Sequence, residues 1–284
     1  MTSYAKEAPF AWCRSEYDTL QSVLLCPPHY MEIKEVINDV QKRYQKENID
    51  IAKATQQHEQ FVKALQENGV AVELIQPSEQ FPEQVFTRDI GFTVDDTVFI
   101  GEMASSVRQG EEAELEKWLK GHQIHFESLG CSRVEGGDVI IDHDTLYVGI
   151  SSRTSKTAIQ ELQAKLPRFK VVPIAFDEKY LHLDCVFNIL SPTEALIFPE
   201  ALDAETVKML AKRYTLLKVN AEEQFALGTN VLSIGNRRVF SQPQNKKVNH
   251  LLKKHNFNVI EVDFSEIIKS GGAFRCCTMP LIRK

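Results

Sequence analysis

Apolar residues are spaced as in a helix in some segments and run together as in a strand in others, and the two kinds of segment follow each other in a fixed order along this chain. Phe61 and Leu65 lie four positions apart, so they share one face of a helix predicted from about residue 51 to residue 68. Gly69 ends that helix, and the apolar run at 70–75 predicts a strand. The same order recurs four times. The later helices are predicted at about 111–120, in a segment with Ile159, Leu162 and Leu166 on one face, at 204–212 and at 246–254, and the strands after them at 124–127, 169–174, 216–219 and 259–262.

Five residues, each followed by an apolar strand, recur at an almost constant spacing. They are separated by 49, 46, 46 and 46 positions, a period typical of propellers and other repeat proteins. In the first four repeats a turn leads into a returning strand, so each unit has the order βαββ. These five residues, called marker residues below, are Asp89, Asp138, Asp184, Asn230 and Cys276, and the returning strands are predicted at 97–100, 145–148, 195–198 and 238–240.

The fifth unit has no returning strand after Cys276, whereas the strand predicted at 22–25 has no partner of its own. If this N-terminal strand pairs with the strand of Cys276, five βαββ units close into a ring. The sequence therefore predicts the α/β class and, within it, a five-bladed, pseudo-symmetric α/β propeller closed by the N-terminal strand. No linker rich in Pro, Gly or Ser divides the chain, so residues 1–284 are predicted to form a single domain.

Composition narrows the kinds of partner. Hydrophobic residues make up 43% of the 284 residues and the net charge is −6, so this is a globular chain without the basic surface that binds nucleic acid or anionic membranes. It has no run of about eighteen apolar residues, and residues 1–12 do not resemble a secretion signal, so we expect a cytoplasmic protein. The cysteines should be reduced thiols. Because they lack Cys-x-x-Cys spacing, no metal site is predicted, and no cofactor is predicted either. The expected partner is a small molecule. The cysteines are Cys13, Cys26, Cys131, Cys185, Cys276 and Cys277.

Ring closure would bring the starts of the marker strands to one centre. In a strand, residues two apart share a face, so His182 and Asp184 can point together, as can Phe274, Cys276 and Thr278. A lone cysteine in an apolar run is usually a small core residue, and it is the repeat that makes Cys276 a candidate nucleophile. Crowded carboxylates repel each other unless a cation joins them, and the expected cation is the substrate. The converging residues are Asp89, Glu135, Asp138, His182, Asp184 and Cys276.

Four short motifs carry a resemblance to a known family. In chain order they are Phe86-Thr87-Arg88-Asp89, Glu135-Gly136-Gly137-Asp138, His182-Leu183-Asp184 and Gly271-Gly272-x-x-Arg275-Cys276. On this period they resemble the ordered motifs of the guanidino-group modifying superfamily, whose fold is the five-bladed pentein ring, and the resemblance covers nearly the whole chain. The length, with no inserted helical domain, is most similar to the dimethylarginine dimethylaminohydrolase family, some members of which also have a double cysteine.

The resemblance implies a hydrolase that acts on the guanidino group of arginine derivatives through a covalent thiouronium on a cysteine. The expected substrate is N-methylated arginine, which would give citrulline and methylamine or dimethylamine. In this interpretation His182 is the general acid and base, Glu135 and Asp89 bind the guanidinium, and two arginines hold the carboxylate of the substrate. The implied catalytic residues are Cys276, His182 and Glu135, and the implied substrate-binding residues are Asp89, Asp184, Arg108 and Arg153.

Two departures from the family pattern bear on the substrate. Ala273 stands where the third glycine is usual, which is a small change. His182-Leu183-Asp184 is closer to the pattern of arginine deiminases and amidinotransferases, and an extra carboxylate at Asp184 favours a guanidinium with more free N–H donors. An arginine deiminase-like enzyme, another guanidine hydrolase and an amidinotransferase are therefore alternatives.

Two further alternatives belong to other classes of protein. Cys276, His182 and Asp184 are the residue types of a Cys-His-Asp acyl hydrolase, but Asp89 and Glu135 would then have no positive partner. A non-catalytic ring could bind a partner, although neither the cysteine nor the histidine has been lost. The sequence leaves a monomer and a homodimer open, and it predicts a mobile loop near 29–38 that could close the site.

Overall fold

The computed structural model describes residues 11–130 and 132–284. Cys131 and residues 1–10, which entered the predictions of thiol state and localisation, lie outside the described residues. The other five cysteines are free thiols, as predicted. Within the described ranges, every helix is too short or too polar to cross a membrane.

Seven α-helices occur in the described ranges, and the five longer ones are those that the sequence predicts. The helices are α1 (Asp39–Tyr44), α2 (Ile51–Glu67), α3 (Glu111–Gly121), α4 (Lys156–Lys165), α5 (Ala204–Ala211), α6 (Ala221–Phe225) and α7 (Lys246–Lys254). In α2, Asp50 caps the first turn by accepting a hydrogen bond from the N–H of Lys53, and Phe61 and Leu65 are buried. Helices α1 and α6 were not predicted, because five or six residues are too few to show a helical period.

Fifteen strands in this part of the chain form five sheets of three strands each. The strands are β1 (Leu20–Leu25), β2 (Ala71–Leu74), β3 (Gly91–Val94), β4 (Thr97–Ile100), β5 (Phe126–Ser128), β6 (Val139–Asp142), β7 (Thr145–Ile150), β8 (Lys170–Ala175), β9 (Phe187–Ser191), β10 (Glu194–Ile197), β11 (Thr215–Lys218), β12 (Leu232–Ser233), β13 (Arg238–Ser241), β14 (Asn258–Glu261) and β15 (Met279–Arg283). The order of strands and helices along the chain is therefore the repeated order that the sequence predicts.

All five sheets have one topology. The strand after a marker residue pairs antiparallel with the returning strand, which pairs in parallel with the strand beyond the next helix, as in β3, β4 and β5. In the remaining sheet the returning strand is β1, which pairs antiparallel with β15 and parallel with β2. Leu24 of β1 stands opposite Met279 of β15, so the predicted pairing of the N-terminal strand with the last strand is confirmed.

The marker residues lie in tight turns or directly after one, and each precedes a strand as predicted, but the neighbours expected to share a strand face with them also lie before the strands. Leu183–Cys185 and Gly136–Asp138 are short 3-10 turns. Cys276 lies in a turn, where the N–H of Cys277 donates to the carbonyl of Ala273 at 2.9 Å. The predicted shared strand faces at these positions are therefore wrong, because an apolar run does not distinguish a buried turn from a buried strand.

The five marker turns are joined into a closed cycle of hydrogen bonds. Each link connects a residue in one repeat with a residue in the next, and the last link returns from the fifth repeat to the first. The links are Gly136 N–H to Asp89 O at 2.9 Å, Leu183 N–H to Asp138 Oδ1 at 2.9 Å, Thr229 Oγ1 to Cys185 O, Cys276 N–H to Asn230 Oδ1 at 3.1 Å and Arg88 N–H to Cys276 O at 3.0 Å. Residues far apart in sequence therefore meet at one place.

Candidate active site

The thiol of Cys276 lies buried at this meeting place, next to a carboxylate. Its Sγ is 3.8 and 3.9 Å from the two oxygens of Asp184. Asn230 Oδ1 accepts the N–H groups of both Ala273 and Cys276, at 3.2 and 3.1 Å, and so holds the turn. A side chain at Gly272 would place its Cβ 2.3 Å from the ring of Phe86, which explains the glycine. The fourth marker residue therefore positions the fifth.

His182 lies between two carboxylates, and all three groups are buried. Its Nε2 is 2.7 Å from Glu135 Oε2, and its Nδ1 is 3.5 Å from Asp89 Oδ1. Burial alone would lower the pKa of His182, but Asp89 and Glu135 raise it to about 10. Burial would also raise the pKa of Glu135, but the hydrogen bond and charge of His182 lower it to about 2. The pair is therefore a charged imidazolium and a carboxylate at neutral pH.

Both predicted arginines reach this site, but each is paired with one of its carboxylates. Arg108 NH1 is 2.5 Å from Asp89 Oδ2, and its NH2 is 2.8 Å from Glu111. Arg153 NH1 is 3.4 Å from Glu135 Oε2. The geometry shows that Asp89 can bind a guanidinium, and it places neither arginine at a separate carboxylate site.

Asp138 is a buried carboxylate that hydrogen-bonds to the backbone next to His182. Its Oδ1 accepts the N–H of Leu183 at 2.9 Å, and its Oδ2 accepts the hydroxyl of Ser151 at 2.8 Å, so it fixes the turn that carries His182. Burial raises the pKa of Asp138 to about 6. Among the described residues, Asp184 pairs with Arg275 and His182 with Glu135 and Asp89, which differs from the arrangement of a Cys-His-Asp acyl hydrolase.

A narrow cavity of only about 10 Å³ reaches the thiol, with Asp89, Arg108 and Cys276 in its wall. Ile37 and Asn38, at the end of the predicted mobile loop, also line it. Residues 29–38 contain neither helix nor strand. Asn38 Nδ2 donates to the carbonyl of Ser270 at 3.0 Å, and Arg153 NH2 donates to the carbonyl of Ile37 at 3.4 Å. This loop therefore covers the cavity in the structure.

The sequence interpretation missed one polar group of the site, Glu83, and the role of a second, Asn230. Glu83 lines the cavity and accepts hydrogen bonds from Ser270 Oγ and Gln41 Nε2, both at 2.8 Å. Burial raises the pKa of Glu83 to about 8. It belongs to a polar stretch outside every motif, so no sequence signal singled it out. Asn230 was found as a marker residue, but only its contacts show what it holds.

Among residues 11–130 and 132–284, two groups of three side chains have donor atoms close enough to hold a metal ion, within 4.8 Å of one another. One comprises Asp89, Glu135 and His182, and the other Asp184, Cys185 and Cys276. The sequence predicted neither, because each combines side chains from different repeats. In the first group the charged imidazole already joins the carboxylates, and in the second Arg275 already neutralises Asp184.

Comparisons with known proteins show which family and which relatives this chain resembles. A model of the family described as N,N dimethylarginine dimethylhydrolase, eukaryotic, matches residues 27–283. The uncharacterized protein YkgA of Bacillus subtilis (strain 168) is 51% identical over 271 residues, which are 95% of each chain. An arginine deiminase of Bacillus cytotoxicus is 29% identical over 256 residues, with 72% of this chain and 62% of the deiminase covered.

A solved structure has a fold similar to that of this chain. The N-terminal domain of ArgZ, an arginine dihydrolase from the ornithine-ammonia cycle in cyanobacteria, was solved with its product bound. It matches with a TM-score of 0.86 at 24% identity, over 94% of this chain and 98% of that domain. Since the family model spans most of the chain and the four motifs meet at one buried site, the chain belongs to the N,N dimethylarginine dimethylhydrolase family of the guanidino-modifying pentein superfamily.

Proposed function

We propose that this protein hydrolyses the guanidino group of arginine or an N-methylated arginine, with Cys276 as the nucleophile. One observation carries the proposal: a charged His182 between Glu135 and Asp89 lies in the same site as the thiol, and Asp89 already binds a guanidinium, that of Arg108. The substrate's guanidinium would replace that of Arg108 at Asp89. Arg108 and Arg153 would then be free for the substrate's carboxylate, for which the arginine fork is suited.

Attack begins with the thiol as a weak nucleophile. A hydrogen bond with Cys185, burial and the charge of Asp184 raise the pKa of Cys276 well above its ordinary value. A bound guanidinium adds a positive charge beside the thiol and favours the thiolate, whose proton is lost to Asp184 or to solvent. Sulfur then bonds to the central carbon of the guanidinium, which the carboxylates hold in position.

Amine release and hydrolysis both use His182. The imidazolium gives its proton to the departing nitrogen as the carbon–nitrogen bond breaks, leaving a thiouronium on Cys276 and a neutral imidazole. The imidazole then takes a proton from water, whose oxygen bonds to carbon as the carbon–sulfur bond breaks. The second proton of the water passes from the product oxygen to the released amine, so the products are a ureido compound and ammonium or an alkylammonium, and the thiolate and imidazolium are restored.

Two substrates are supported by different observations. The family match supports N-methylated arginine. Asp184, within 3.9 Å of the thiol, supports unsubstituted arginine, because an additional carboxylate suits a guanidinium with all its N–H donors free. The likeness to an arginine deiminase agrees with the second.

We also propose that the five sheets stand around one axis as a closed five-bladed propeller. The pairing of β1 with β15 and the closed cycle of hydrogen bonds between marker turns support this arrangement. It would place the thiol of Cys276 at the axis, where all five repeats contribute to one small pocket.

A substrate panel tests the function. The enzyme is incubated with arginine, monomethylarginine, dimethylarginine and agmatine, and the ureido product and the released amine are measured. We expect product from arginine or from its methylated forms and little from agmatine, which lacks the carboxylate that Arg108 and Arg153 would bind. Equal use of agmatine would contradict the arginine clamp, and no ureido product from any of the four would contradict the proposed reaction.

A further inference from the structure

A buried arginine connects the candidate nucleophile with the N-terminal arm of the chain. Arg275 directly precedes Cys276, and its NH1 is 2.5 Å from Asp184 Oδ2. Its NH2 donates to Glu16 Oε1 at 3.1 Å and to the carbonyl of Val139 at 3.0 Å. Glu16 precedes β1 and lies 259 positions from Arg275 in the sequence. The arginine therefore bridges the carboxylate beside the thiol and a carboxylate outside all four motifs.

Glu16 is the acceptor at the centre of this network. Its Oε1 also accepts from Arg88 NH2 at 2.9 Å and from the N–H of Ile141 at 3.1 Å. Burial alone would raise the pKa of Glu16, but the charges of Arg275, Arg88 and Arg283 lower it to about 2. A buried carboxylate among three arginines is strongly held in its charged form, and removing it would leave buried positive charge uncompensated.

The two arginines of the network stand next to proposed functional residues. Arg88 precedes Asp89 as Arg275 precedes Cys276, and both donate to the carbonyl of Val139, which follows Asp138. A shift of Glu16 would therefore be transmitted to the backbone of the nucleophile turn.

We propose that Arg275 and Glu16 are positioning residues for Cys276: Arg275 holds Asp184 beside the thiol and offsets its charge, and Glu16 holds Arg275. The proposal depends on the proposed function only in taking Cys276 as the nucleophile. Neither residue needs to touch the substrate. Together they make the N-terminal arm part of the machinery that prepares the thiol.

The network predicts that removing the charge of Arg275 and removing the charge of Glu16 change the pKa of Cys276 in opposite directions. The groups that face the thiol are Cys185, Asp184 and Asp89, and with burial they raise the pKa of Cys276. Arg275 is the opposing cation, since the negative form of Cys276 is among the causes that raise the pKa of Arg275. Loss of the Arg275 charge should therefore make the thiolate harder to form, and loss of the Glu16 charge should make it easier.

Alkylation of Cys276 by iodoacetamide as a function of pH tests the proposal without any substrate. Mass spectrometry identifies the modified cysteine. For Arg275→Gln we expect alkylation roughly tenfold slower at a fixed pH, which corresponds to about one pH unit, and for Glu16→Gln we expect it several-fold faster. Arg275→Lys and Glu16→Asp keep the charges and should give smaller changes. Arg213→Gln is the control, because it removes an arginine from a buried aspartate, Asp142, elsewhere in the fold.

Opposite shifts for the two charge-removing variants support the network. Shifts in the same direction, or shifts no larger than that of Arg213→Gln, would overturn it. If Arg275→Gln does not fold, Glu16→Gln is compared with Glu16→Asp: faster alkylation in Glu16→Gln alone supports the network, and unchanged or slower alkylation would overturn it. Because alkylation needs no turnover, an enzyme inactive on every guanidine would reject the proposed function and still leave this measurement decisive.

Discussion

His182 links the chemistry of the site to the stability of the fold through one proton. Its folded pKa is about 10, because Asp89 and Glu135 outweigh the effect of burial. An unfolded histidine has a pKa of about 6.5, so between these values the folded chain holds a proton that the unfolded chain has released. This stabilisation is complete below about pH 6.5 and is lost as the pH rises through about 10.

We therefore expect the free energy of unfolding to fall as the pH is raised from about 7 to about 10, and to fall less in His182→Asn. Urea denaturation at several pH values measures both. His250→Asn, at an exposed position of α7, is the control and should keep the slope of the native protein. Parallel slopes for the native protein and His182→Asn would show that the imidazole is not charged.

His182→Asn should also lower turnover by roughly 100-fold or more, the scale of general acid and base catalysis.

The two adjacent cysteines permit a matched comparison. Cys276 and Cys277 are both buried and free, but only Cys276 lines the cavity. Cys276→Ser should abolish turnover with little change in the melting temperature, since serine is nearly the same size and a much weaker nucleophile. Cys277→Ser should retain most of the activity. Turnover of the substrate panel together with thermal melting measures both effects, and equal losses would mean that the nucleophile is wrongly assigned.

At the scale of elements, the turn at Cys276 depends on an amide from the preceding repeat. Asn230→Ala removes the acceptor of two buried N–H groups, which should cost about 1–3 kcal/mol of stability and displace the thiol. Asn249→Ala, in α7, loses buried hydrogen bonds to Ser241 and Gln242 and serves as the control. We expect similar losses in urea stability but a larger loss of kcat in Asn230→Ala. Equal kcat values would remove Asn230 from the positioning of the nucleophile.

Elements with a long hydrophobic period were predictable, and short buried turns were not. The helix around Phe61 and the strand at 97–100 were found at nearly their observed bounds, because the helix buries one regular face and the strand is a continuous, largely buried apolar run. The turn at Cys276 has the same apolar composition as a strand, and its geometry is set by Asn230, from another repeat. Motif order brought the right side chains together, whereas pairings such as Arg108 with Asp89 depend on three-dimensional distances.

At the scale of the whole molecule, β1 joins the N-terminal part of the described chain to the last strand, β15. Leu24 is fully buried there opposite Met279, whereas Leu74 on the neighbouring β2 is about half exposed. Leu24→Ala should lower the free energy of unfolding by about 2–5 kcal/mol, because it leaves a cavity in the closure. Leu74→Ala should change it by less than about 0.5 kcal/mol. Urea denaturation followed by fluorescence compares them, and similar losses in the two variants would argue against a structural role for the closure.

The contact between the two ends of the chain also determines when a newly synthesised chain can complete its folding. Cys13, on the arm before β1, bonds to the carbonyl of Pro280, 267 positions later. At about 5–20 residues per second, the ribosome needs on the order of tens of seconds to deliver the second partner after the first. During this interval β1 is open along one edge, where other nascent chains could pair with it. The thiol of Cys276 emerges just before β15, so a translation product that stops short of residue 276 lacks both this thiol and the pairing of β1 with β15. Activity thus reports that synthesis has passed this point.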